Sequence, residues 1–151
     1  MATESAKEKP QLLAFLICER VVVDEGIATV WRIIDSFNFI VNLPETVPKE
    51  VRDKMNVQLR CEVFTRWGPP FDGDYEAELG LNLPDGQEVN RTPQTFNRTG
   101  EYGFAQVTWD IVLGLATTGT YNWVLYLDGA EIARHPFRVN ITREVQTPEP
   151  K

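Results

Sequence analysis

The chain has 151 residues and carries a net charge of −7, from 15 Lys and Arg against 22 Asp and Glu. That length suits one domain, and an apolar fraction of 42% with eight Phe, four Trp and four Tyr supports a packed core, which excludes wholesale disorder. The acidic balance, with no local basic stripe, argues against nucleic-acid binding, because like charge repels a phosphate backbone.

Residues 1–10 are polar and charged and read as a flexible N-terminus without the apolar stretch of a secretory signal. The apolar run Leu12 to Cys18 is far shorter than the roughly 20 residues that span a bilayer. The expectation is a soluble, cytoplasmic protein that does not engage a membrane. The sequons at Asn90, Asn97 and Asn140 are read as chance matches.

Gln11 to Arg20 is a continuous apolar run, read as a central strand. Val21-Val22-Val23 extends it, Asp24-Glu25-Gly26 turns the chain, and Ile27 to Asp35 is strand-like and rich in β-branched residues. Leu43 to Met55 breaks the β pattern. Pro48 is placed to open a short helix at its first position, where the missing N–H costs nothing, so Lys49 to Lys54 is read as either one or two helical turns or a loop. From Met55 to Trp67 the period is two. Met55, Val57, Leu59, Cys61 and Val63 share one face, and Asn56, Gln58, Arg60 and Glu62 share the other.

Tyr75 to Leu83 alternates again and ends on Pro84-Asp85-Gly86, with Gln87 to Val89 read as a return strand. Asn90 to Tyr102 is polar and reads as a loop or weak edge structure. Ala105, Val107, Trp109 and Ile111 alternate, and Gly119 to Leu127 turns at Asp128-Gly129 into a strand over Glu131 to Ile141. Residues 146–151 hold two prolines and read as a flexible tail.

About seven or eight such strands joined by short turns, with no long helical periodicity, predict antiparallel pairing. The expected fold is all-β: a single antiparallel β-sandwich of immunoglobulin-like architecture over 11–145, with at most one short helix and a barrel as second choice.

Leu16 to Glu19, Val21 to Gly26 and Ala28 to Asp35 carry the pattern of an apolar strand, an Asp-containing turn and a strand ending near an Asp, and Gly119-Thr120-Tyr121, Leu127-Asp128-Gly129 and Phe137-Arg138-Val139 read as a closing hairpin. Together these resemble a family of small uncharacterised bacterial β-sandwich proteins, a domain of unknown function. The resemblance implies the sandwich and brings no activity with it.

The candidate sites are few. Asp72, Asp74, Glu76 and Glu78, at a spacing of two, share one strand face and could hold Ca²⁺ or simply form a solvated face that deters edge pairing. Trp67 precedes Gly68-Pro69-Pro70-Phe71, so Trp67 and Phe71 could form an exposed aromatic patch for a protein or a sugar, or pack under the loop. Trp31, Trp109 and Trp123 are assigned to the core. Cys18 and Cys61 read as buried thiols or, if facing strands allow, a disulfide. His135 is the single histidine, without the nucleophile and carboxylate pattern of a triad, and no phosphate loop, dinucleotide fingerprint or zinc motif occurs. No cofactor is expected. The leading reading is a non-enzymatic module that binds a protein partner through loops or an edge strand; self-association through paired edges fits it too. A carbohydrate- or small-ligand-binding module at Trp67 is the alternative, and a hydrolase comes last.

Overall fold

The computed structural model describes residues 6–146. Nine strands and one short helix make up this part of the chain: β1 (Gln11–Asp24), β2 (Ile27–Ile33), β3 (Ser36–Pro44), α1 (Lys49–Arg52), β4 (Val57–Gly68), β5 (Phe71–Asn82), β6 (Glu88–Gly100), β7 (Ala105–Leu115), β8 (Gly119–Leu127) and β9 (Ala130–Gln146). The all-β prediction holds, with two sheets. Four strands run in the order β2-β1-β4-β7, and five in the order β3-β9-β8-β5-β6, the larger sheet curling into a half-barrel.

Three expectations need correction. The strand number is nine, because Ser36–Pro44 is a strand and Asn90 to Tyr102, read as a loop or weak edge structure, is for the most part the edge strand β6. β6 is polar because it is an edge strand. It buries little beyond Val89 and Phe96, and it tolerates Pro93 because an edge strand has one side free of ladder bonds. The pairing is not wholly antiparallel, since β3 runs parallel to β9 from Ser36↔Arg138 to Pro44↔Gln146. The chain crosses from one sheet to the other at Ile34–Asp35, and the long route through the five strands β4 to β8 lets a parallel partner return. The helix begins after Pro48, which stands at the N-cap and not at the first helical position.

The core lies between the sheets. Ile17, Leu59, Cys61, Val63, Trp67, Val107 and Trp109 line it from the four-stranded sheet, facing Tyr75, Leu79, Tyr121, Trp123, Leu125 and Phe137. Aromatic pairs knit it together. Trp67 stacks on Phe96 at 5.7 Å across the layers, Phe96 on Tyr75 at 5.3 Å, and Phe137 on both Tyr121 and Trp123 at 5.5 and 5.7 Å. Side chains also join the two sheet edges: Trp109 Nε1–H donates to the Thr92 carbonyl (3.0 Å), and Gln94 Nε2–H to that of Thr108 (2.7 Å).

The β1–β2 hairpin adds a partial third layer. β1 pairs with β4 only as far as Cys18↔Glu62, and from there to Asp24 its pairing is with β2. Beyond Cys18 the hairpin folds back over the outer face of the four-stranded sheet. The Val21 N–H donates to the Glu62 carboxylate, and Gly26 at the tip lines one cavity with Arg66 and Gln106, which pair with each other across β4 and β7. The fold-back explains why Cys18 and Phe64 are buried although they stand outside the central core.

Candidate functional site

Trp67 and Phe71 lie in the core and present no open ring face to solvent. Trp67 is 0% exposed, in a central strand flanked on both sides. Its Nε1–H donates to Thr65 Oγ1 at 3.0 Å, and the Thr65 hydroxyl donates in turn to the Val107 carbonyl at 2.9 Å. Thr65 is the buried polar residue that lets an indole N–H enter an apolar layer without an orphaned donor. Phe71 packs edge-on to Tyr75. The aromatic patch expected at the Gly68-Pro69-Pro70 corner is therefore part of the packed interior.

The acidic residues do share one outer face of β5. Asp72, Asp74 and Glu76 are exposed and Glu78 is half-buried. Same-face neighbours on a strand stand about 6.8 Å apart, too far for several carboxylates of one strand to converge on a cation whose ligands sit at about 2.4 Å. Among the described residues no three His, Cys, Asp or Glu side chains gather into a metal-holding group. Structural roles account for part of the cluster. Asp74 accepts from the Asn97 amide on β6. Asp128 in the β8–β9 turn accepts the Glu76 N–H through Oδ1 (2.9 Å), and its own N–H donates to the Glu76 carbonyl (2.8 Å). Nearby, Lys7 lies 3.7 Å from Asp128 and 4.1 Å above the Tyr75 ring, whose hydroxyl donates to the Glu8 carbonyl at 2.7 Å. These contacts hold residues 7 and 8 of the stretch read as flexible; residues 1–5, and 147–151 of the predicted tail, lie outside the described part.

Both cysteines are buried free thiols. Cys18 pairs with Glu62, so Cys61, one residue on, points to the opposite face of the sheet, into the core. A disulfide is thereby excluded by register. Burial is the main reason the Cys61 thiol is pushed up to about 12, with Cys18 and then Asp110 adding to it. Such a thiol is inert. His135 is half-buried, with its ring edge-on to Phe15 at 5.7 Å.

The tryptophan exposed to solvent is Trp31, which corrects its assignment to the core. It is 57% exposed, between Ile27 at 70% and Ile33 at 64%. Ile27, Thr29 and Trp31 share the face of β2 turned away from the sheet, while Ala28 and Val30 on the other face are half-buried. Arg32, at a left-handed φ of 50°, interrupts the alternation before Ile33. Arg20 lies opposite Trp31 in the hairpin register, and with Glu19, Trp31 and Arg32 it lines a depression of about 290 Å³. Arg32 is paired with Glu19 at 3.4 Å, whereas Arg20 has no ion-pair partner among the described residues. β2 is also the last strand of its sheet, so one side of its backbone has no neighbouring strand.

The sequence signal for this surface was the run Ile27 to Ile34. It is apolar on both faces, and a two-sided apolar strand at a sheet edge must leave one side uncovered. No protein-family model matches the chain, and no curated protein matches it in sequence. Among the described residues no helix is long and apolar enough to cross a membrane.

Proposed function

We propose that this chain is a non-enzymatic protein-binding module, located in the cytoplasm, which adds an extended segment of a partner protein to the free edge of β2. The observation that carries the reading is the exposure of Ile27 and Trp31 at alternate positions on that edge strand. Edge strands are commonly blunted by Lys, Pro or inward charge, and Ile27 to Trp31 contains none of these. Backbone pairing would supply affinity, and the alternating side chains would supply selectivity. The segment that fits has apolar residues at alternate positions, to lie beside Ile27 and Trp31, and a carboxylate for Arg20. A second copy of the chain is the less suitable occupant, because two chains of net charge −7 repel each other. A ligand that binds by stacking on an aromatic ring would use Trp31, since Trp67 is enclosed. The immunoglobulin-like sandwich and kinship with the small bacterial family belong to the same proposal.

The test places a photo-crosslinking residue at Thr29 and compares capture from the native cell with that by Trp31→Glu and Ala28→Pro variants carrying the same residue, since in the hairpin register the Ala28 N–H points to the free edge. The expected result is one dominant protein adduct that both variants abolish. Amides of β2 whose N–H points outward should then gain protection from hydrogen exchange when the captured segment is added. Capture that survives both substitutions would sink the edge-strand reading. A crosslinked product of this chain alone would replace the partner with self-association.

A further inference from the structure

At one end of the molecule, under the tip of the β1–β2 hairpin, lies an open cavity of about 590 Å³. Its walls include Arg66, Asn97, Arg98, Gly103, Phe104 and Gln106, and no Asp or Glu side chain lines it. This is unexpected on a chain in which acidic residues outnumber basic ones by 22 to 15.

The two arginines are held rather than free. The Arg66 guanidinium lies over the Phe104 ring, 4.5 Å from its centroid, and that of Arg98 lies 5.9 Å from the centroid of Phe71. Arg98 also occupies the space next to Gly103. A Cβ on that residue would stand 2.6 Å from Arg98 Nη2, and its φ of 91° is one that L side chains rarely adopt. The backbone favours glycine there, and a side chain would have to displace the Arg98 guanidinium from its place.

Stacking on a ring face leaves the in-plane N–H groups of a guanidinium available. Among the described residues neither arginine forms an ion pair or a side-chain hydrogen bond. The contrast is with Arg91 and Arg134 on the outer face of the larger sheet, which are paired with Glu88 and Glu131. The carboxylates nearest in sequence to the lining residues Gly26 and Gly103, at Asp24, Glu25 and Glu101, do not line the cavity. Asn97 and Gln106 add amide groups to the wall, although Asn97 Nδ2 is already given to Asp74.

A planar fork of N–H donors matches an oxyanion, which can accept two parallel hydrogen bonds from one guanidinium. We propose that this cavity binds a ligand through a phosphate or carboxylate group held on Arg66 and Arg98. The proposal is independent of the β2 edge and stands or falls without it.

Calorimetric titration of the full chain with inorganic phosphate and, separately, with malonate, at ionic strength held constant with chloride, tests it. The expected result is saturable binding of at least one probe, with the amide resonances of Gly103 and Phe104 shifting along the same isotherm. The tighter probe then assigns the group as phosphoryl or carboxyl. An Arg66→Gln/Arg98→Gln variant should bind at least about tenfold more weakly, as expected for loss of charge-assisted hydrogen bonds. Arg98→Lys keeps the charge but loses the fork, and should fall between the two. If the double variant fails to fold, Arg66→Gln and Arg98→Lys decide the matter. Absence of saturable binding with both probes overturns the proposal, as does equal affinity in the folded variants.

Discussion

Trp67 and Trp31 have the same side chain on neighbouring layers of the molecule, and they meet opposite fates. Trp67 stands in a central strand, between β1 and β7, with a second sheet over its inner face and Thr65 to accept its N–H. Trp31 stands in the terminal strand of the same sheet, on a hairpin whose outer face has nothing above it. The difference shows that position in a sheet, rather than residue type or local alternation, decides whether an aromatic side chain contributes to the core or to a surface.

Three substitutions sharpen that contrast. The largest effect belongs to Trp67→Ala, which empties a fully enclosed site and orphans the Thr65 hydroxyl as an acceptor. A loss of about 3–5 kcal/mol is expected in urea unfolding, the range for deleting a buried aromatic ring. A loss below about 1 kcal/mol would mean that Trp67 is not enclosed. Next comes Thr65→Val, nearly the same shape without the hydroxyl. It leaves the Trp67 N–H without a partner, and the expected cost is about 1–3 kcal/mol by the same measurement. A neutral result would show that the indole N–H is satisfied another way. The smallest effect is expected for Trp31→Ala, within about 0.5 kcal/mol of the parent, as for surface substitutions generally. Its tryptophan emission should lose a red-shifted, readily quenched component, whereas loss of a blue-shifted component would place Trp31 inside.

Much of the fold was legible in the sequence wherever period-two alternation was clean. β4, β5, β7 and β8 emerge within a few residues of their observed bounds, because each buries one full face. β6 was legible only as a loop or weak edge, and for β3 the strand was legible but its pairing was not. An edge strand with both faces largely wet, such as Glu88–Gly100, has no apolar period to read, and its pairing with β5 is set by backbone hydrogen bonds that any sequence can make. Ser36–Pro44 alternates Phe37, Phe39, Val41 and Leu43 inward, but its parallel partner lies about a hundred residues away, beyond the reach of any local pattern. The same holds for the candidate sites. Asp72, Asp74, Glu76 and Glu78 could be placed on one face from their spacing, and they are on one face. Arg66 and Arg98, from different sheets, come together only where β4, β6 and the hairpin tip meet.

By itself the sequence determined the strand-rich class, the turns at Asp24-Glu25-Gly26 and Asp128-Gly129 and the inward residues of the central strands. These are local properties, set by side-chain period and backbone preference within a few residues. Only the tertiary structure decided that Cys18 and Cys61 face away from each other, that β3 runs parallel to β9, that Trp67 is enclosed and that Trp31 is exposed. Those outcomes depend on which strands become neighbours and which layer covers them. Pairing energy along a backbone is nearly blind to sequence, so strand order emerges from the summed burial of the whole chain and not from any one segment of it.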